Sequence, residues 1–276
     1  FRGVAFMGAS FYSAPNPEVG AVFTYYLKDE FKTLKDLRRD EEKEKQKNKE
    51  DIKYPSYETL KAEQEELEYY LLFTISDETG NVIRKIKTDA NKGINRIVWN
   101  FRYTPPSPVS LEPFDDSVPW VEADKGYMVV PGKYFVSLSK FQDGKFTELI
   151  GKKEFICKSL NNTTLPAEDK IALDAFNKKV AELTRTITGA DAFRGELVDK
   201  IAYLKKAVLD GAEVPEATYG SIINVESDLR DINIKINGDP LRARYEGGSP
   251  TSVKGRVNFI TAALWSTTAA PTNTFI

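Results

Sequence analysis

Apolar positions along this chain first recur at every second residue and later at every third or fourth. Residues 20–28, GAVFTYYLK, follow the Pro- and Gly-containing lead-in SAPNPEVG. They are rich in β-branched and aromatic side chains, which predicts a strand. The pattern resumes at EYYLLFTISDETGNVIRKI, where Leu71, Phe73 and Ile75 alternate with Leu72, Thr74 and Ser76 and make one face apolar. DETGN supplies a turn in which Gly80 can take positive φ, and Val82, Arg84 and Ile86 lead a return strand. NKGINRIVWNFRY repeats this logic, with Gly93 at a turn and Ile94, Ile97 and Trp99 along a strand. PGKYFVSLSKFQDGKFTELIGKKEFICKSL then reads as two or three strands, with turns at Pro131-Gly132 and Asp143-Gly144. Short strands joined by tight turns predict an antiparallel β-sandwich.

After LNNTTLPAED the period changes. Thr164 with Pro166 just inside reads as a helix start, because Pro lacks only an N–H that would have no partner there. Leu173, Phe176, Val180, Leu183 and Ile187 step by three and four. A second run, Phe193, Leu197, Ile201, Leu204 and Val208, ends near Gly211. A third starts at Pro215 and carries Ile222, Val225, Leu229, Ile232 and Ile236 before Gly238 and Pro240. A fourth opens at Ser249-Pro250 with Val253, Val257, Ile260 and Leu264. Narrow stripes of this kind predict a three- or four-helix bundle with a dry core rather than a cofactor or lipid groove. The connections are short except for GDPLRARYEGG, and STTAAPTNTFI predicts an extended tail.

One stretch fits neither period. DLRRDEEKEKQKNKED, residues 36–51, holds seven acids and six bases, so it is not a single-sign arm. Glu41–Lys45, Glu42–Lys45 and Glu44–Lys47 are spaced for helical ion pairs, each worth only ~0.2–0.5 kcal/mol. Leu34 and Leu37 offer a short apolar anchor. YPSYETLKAEQEELEYY adds a break at Pro55, a cap at Ser56 and a second helix leading back to the sheet. We expect a solvated helical insertion over 29–67, frayed around 47–51.

The expected fold class is therefore α+β in separate domains. A β-sandwich over 20–160 carries the insertion, a helical bundle spans 161–266, and a tail covers 267–276. Composition narrows the chemistry. The net charge of −2 recommends neither nucleic acid nor an anionic membrane as partner, and no apolar run approaches the ~18 residues of a membrane span. Histidine is absent, which removes the commonest general base and every nucleophile–histidine pair. The single cysteine, Cys157, lies in a strand-like run and is expected as a packed, inert thiol. INGDP lacks the glycine spacing of a phosphate cradle, and Gly238 reads better as a helix C-cap. No cofactor and no metal is expected, and the chain is not expected to be an enzyme.

GAVFTYYL, LLFTISDETGNVIRKI, GINRIVWNFRY and VPGKYFVSLSK together resemble the immunoglobulin-like domain of flagellar hook-capping proteins and of bacterial secretion-linked C-terminal modules. That resemblance implies that Trp99 packs between two sheets and that Pro131-Gly132 turns into the last hairpin. Over nearly its whole length, through FYSAPNP, PSYETLKAEQEE, VSLEP, INGDP and GRVNFITAALWSTTAAPT, the chain also resembles the C-terminal region of large secreted sortilin-type, BNR-repeat β-propeller proteins. Many of these come from Bacteroidota and are described as glycosyl-hydrolase-like. The resemblance implies that residues 1–19 lead in from an upstream propeller, and Phe1 in place of Met fits a fragment or processed chain. It also implies an extracellular, cell-surface or periplasmic location. The implied partners are that propeller and a protein at the cell surface.

The most site-like segment is SLEPFDDSVPWVEADKGY, which gathers Glu112, Asp115, Asp116, Glu122 and Asp124 around Trp120. Carboxylates beside an indole suit a sugar ring or a calcium ion, although the spacing is not that of a calcium loop. Asp115, Asp116, Trp120 and Glu122 are the candidate carbohydrate-binding residues. The plainer reading is a hydrophilic inter-strand loop anchored by Phe114 and Trp120. Asn161 and Asn162 head N-x-T sequons, and DSV places Ser117 in a short pattern resembling the O-glycosylation signal of Bacteroidota.

Overall fold

The structure is a computed structural model that describes residues 16–29, 31–111, 114–115, 117, 125–160, 166–211, 215–245 and 251–275. It combines helices with antiparallel sheets. Contacts divide the chain into two units. Of the described residues, those from 16 to 102 and 131–159 make one unit, and those within 103–130 and from 160 onward make the other.

The first unit contains β1 (Ala21–Leu27), α1 (Leu34–Lys47), α2 (Tyr57–Glu65), β2 (Tyr70–Asp77), β3 (Val82–Thr88), β4 (Gly93–Trp99), β5 (Gly132–Gln142) and β6 (Lys145–Cys157). β1 pairs with β4, and the larger sheet has the order β3-β2-β5-β6, all antiparallel. The alternation read from β2 holds: Leu71, Phe73 and Ile75 are buried. Leu71, Phe73 and Leu138 from the larger sheet meet Phe23, Tyr25, Leu27 and Ile97 from the smaller one in a single core. Trp99, 1% exposed, lies edge-on to Tyr134 and Phe155, with centroids 5.6 and 5.9 Å away. Its indole N–H donates to the Arg102 carbonyl at 3.0 Å, so the ring is buried with its polar atom satisfied. Cys157 is buried, and burial pushes its thiol up to about 11, which keeps it protonated and inert.

The turns follow from local chemistry. Asp77 accepts from the N–H groups of Thr79 and Asn81 at 2.9 and 2.8 Å, and Gly80 takes φ 89°. Between β5 and β6 both Asp143 (φ 52°) and Gly144 (φ 74°) are left-handed, the conformation of a two-residue hairpin loop whose twist matches its strands.

The second unit holds α3 (Lys170–Asp210), α4 (Glu216–Asn237), α5 (Pro240–Tyr245) and α6 (Val253–Leu264). Three expectations are corrected here. The first two apolar runs form one 41-residue helix, because the isolated Gly189 costs only about 1 kcal/mol and neither it nor Gly195 takes positive φ. That helix starts at Lys170, where Asp169 accepts from the N–H groups of Ile171 and Ala172; Pro166 lies ahead of it, and Thr164 is outside the described residues. The stretch GDPLRARYEGG contains the short helix α5. α4 runs as expected, from Pro215 to Gly238 at φ 93°. α3, α4 and α6 pack on one another, and Asp191 of α3 ties them together. Its carboxylate accepts from Lys254 of α6 at 2.8 Å, Asn237 of α4 at 2.9 Å and Arg194 at 3.0 Å. The bond from Lys254, with those from Asn237 and Arg194, holds its pKa down at about 2 against the cost of burial.

The β4–β5 connection groups with these helices. Tyr103 donates its N–H to the Tyr127 carbonyl at 3.0 Å, and the two rings stack at 4.3 Å. Tyr127 is buried with Val180, Ala181, Leu264 and Trp265. Burial, then the neighbouring Tyr103 and Asp174, raise its phenol far above the ordinary range.

Candidate functional site

Of the acidic loop, Asp115 and Ser117 are described, and both are exposed. Asp115 accepts from the Ser117 N–H at 2.9 Å, a local Asx turn, and its pKa is lowered by the Ser117 hydroxyl and then by that N–H. Phe114 is half-exposed. Asp116, Trp120 and Glu122, like the sequon residues Asn161 and Asn162, lie outside the described residues. Glu112 and Asp124 lie outside them too, and the bond at Asp115 is one that any Asp-x-Ser turn makes. Among the described residues no group of three or more His, Cys, Asp or Glu side chains is placed to hold a metal ion.

The more distinctive surface is the insertion. α1 and α2 contain no buried residue. α1 begins with a reciprocal cap: the Thr33 hydroxyl accepts from the Asp36 N–H, while the Asp36 carboxylate accepts from the Thr33 N–H and hydroxyl. Those Thr33 bonds lower the Asp36 pKa. α1 ends at Lys47, where the stretch expected to fray begins. Lys49 turns left-handed at φ 58°, and the Glu50 N–H reaches back to the Lys45 carbonyl at 2.9 Å, closing the helix. The expected pairs Glu41–Lys45, Glu42–Lys45 and Glu44–Lys47 give way to others: Arg38 binds Glu42 at 2.6 Å, and Asp40 binds Lys32 and Lys43.

A two-pronged ion pair joins the helices. Arg38 donates from Nε and Nη2 to the two Glu63 oxygens at 2.5 and 2.9 Å. The Glu63 bonds, then the one to Glu42, raise the guanidinium pKa, and the Arg38 bonds lower that of Glu63. At the base, the Leu34 N–H donates to Glu66 at 2.8 Å, and Phe31 stacks on Tyr69. Between the helices and the 50–55 connection runs a groove of about 810 Å³, lined by Leu37, Ile52, Tyr54, Pro55 and Ala62 and edged by Glu41 and Lys45. Tyr54 is 88% exposed, and Leu34, Leu37, Ile52 and Tyr57 are exposed as well. Leu34 and Leu37, expected as an apolar anchor, are instead exposed along this groove. Arg38, Glu63, Ile52 and Tyr54 carried no signal, because their meeting depends on how the hairpin folds back.

Comparison with protein-family models, with curated proteins and with solved structures gives no match. No helix among the described residues is long and apolar enough to cross a membrane.

Proposed function

We propose that this chain is a non-catalytic structural and docking region of a secreted or cell-surface β-propeller protein, bracing that propeller or holding a partner. In this reading the two sheets form an immunoglobulin-like sandwich of the hook-capping type and the helices a bundle. The observation that carries it is the α1–α2 arm. It buries nothing of its own, is fixed in shape by Arg38–Glu63 and the Thr33 cap, and presents exposed Leu37, Ile52 and Tyr54 around a groove. Exposed apolar side chains set among charged ones around a groove are what a protein contact uses.

The test replaces residues 34–66 with a short Gly-Ser turn. The chain is expected to keep its sheets by circular dichroism and to lose its cross-links to the parent assembly at the native cell surface. Intact cross-linking by the shortened chain overturns the docking role. Hydrolysis of a glycoside or peptide that disappears in Asp115→Asn or Asp116→Asn overturns the non-catalytic role. The carbohydrate-binding alternative predicts retention on a glycan array that is lost in Trp120→Ala.

A further inference from the structure

The two sheets protect their edges unequally. β3 carries Arg84, Lys85 and Lys87, and its pairing with β2 shifts register at Ile75/Ser76. β6 carries Lys145, Glu148, Lys152, Lys153 and Glu154 and shifts register twice against β5. Charges and bulges of this kind discourage a further strand. β1 and β4 instead pair over seven consecutive positions without a shift, contain no proline, and carry one charged residue between them, Arg96. Their outward side chains Val22, Tyr26 and Ile94 are exposed, Ile94 at 76%. Among the described residues this sheet has two strands, and two strands alone form a marginal sheet.

A groove of about 430 Å³ lies at the end of β4. Val98, Trp99 and Asn100 line it from β4 and its end, Arg84 and Ile86 line it from β3, and Glu18 and Val19 complete it. Arg84 pairs across the sheet with the buried Ile75 and is itself half-buried. Among the described residues it makes no hydrogen bond or ion pair. A half-buried guanidinium presents five donors, and a carboxylate is the group that satisfies them in pairs.

We propose that the β4 edge and this groove bind an extended peptide segment of a partner protein that carries an acidic side chain. The peptide main chain adds to β4 as a third strand, and its carboxylate pairs with Arg84. Arg84 sets the preference, as the half-buried cation of the groove with no ion pair among the described residues. The same inward-facing cation rejects strands that lack a carboxylate, so one residue supplies both attraction and discrimination. The site belongs to β3 and β4 and stands independently of the α1–α2 arm.

The probe is a synthetic ten-residue peptide alternating Thr and Val with one central Glu, titrated into the isotope-labelled full chain. Amide shifts are expected along Ile94, Arg96 and Val98, with loss of binding when alternate peptide nitrogens are methylated. A central Lys in place of Glu, or Arg84→Gln in the chain, is expected to weaken binding about tenfold. An unchanged β1 and β4 amide fingerprint in Arg84→Gln shows that the variant is folded, and the arm-shortened chain should bind as the full chain does. No binding, equal binding of the Glu and Lys peptides, or shifts confined to β6 overturns the proposal. So does self-association of the chain with its β4 amides already protected.

Discussion

The molecule contains two sets of helices held by opposite means. α3, α4 and α6 bury Leu173, Val180, Ile187, Ile201, Leu229, Val257 and Leu264, and add one charged hub at Asp191. α1 and α2 bury nothing and depend on caps, an ion pair and their own short connection. Burial contributes ~1.5–3 kcal/mol per large apolar side chain, whereas a helix cap contributes about 1 and exposed pairs such as Lys43–Asp40 contribute ~0–1. Sequence length and helical pattern are therefore poor guides to which helix is anchored. The first set is part of the fold; the second is a shaped appendage with its apolar groups left over.

Breaking the first set should cost most. Leu229 is a buried residue of α4, and Leu229→Ala is expected to destabilise by about 2–5 kcal/mol in urea unfolding. Asp191→Ala should cost about 1–3 kcal/mol, because it removes the acceptor that Lys254, Asn237 and Arg194 share. Its pH dependence has a definite sign. The folded pKa of about 2 lies below the ordinary 3.8, so this contribution is complete above pH 4 and disappears as pH falls toward 2. A wild-type stability profile that matches Asp191→Asn across that window would break the hub's place in the comparison.

The appendage should respond locally. Thr33→Ala removes the α1 cap and is expected to lower helix stability by about 1 kcal/mol, read as faster amide exchange near 34–38. Arg38→Gln should accelerate exchange across both α1 and α2 while leaving the global unfolding midpoint unmoved, and high salt should mimic it in part. A drop in that midpoint would place the arm inside the cooperative core and erase the distinction.

The strands were legible because their signals are local: alternation at Leu71, Phe73 and Ile75, and turn chemistry at Gly80 and Asp143-Gly144, survive folding unchanged. The helices were legible by face but not by boundary. A stripe from Leu173 to Val208 reads the same whether or not Gly189 interrupts it, and only tertiary packing decides. The Tyr103–Tyr127 stack escaped the sequence altogether, since it joins the two ends of a long connection. The same holds for the arm, whose ion pair joins Arg38 to Glu63 across a bend, and for the groove at Arg84. There the sequence placed an arginine on a strand correctly and could not show that its face is half-covered.

The way the arm closes on itself bears on how the chain folds. Leu27 pairs with Gly93, so joining β1 to β4 must enclose residues 28–92, the longest closure between paired strands in that unit. Entropy charges for such a loop according to its free length, at roughly 0.6 kcal/mol per doubling. The Leu34–Glu66 bond and the Phe31–Tyr69 stack bring the two ends of the insertion together. Helix formation takes about a microsecond or less, well before distant strands meet. Once the hairpin has formed, β1 and β2 are separated by the equivalent of a tight turn. The insertion then shortens the search that its own residues would otherwise lengthen.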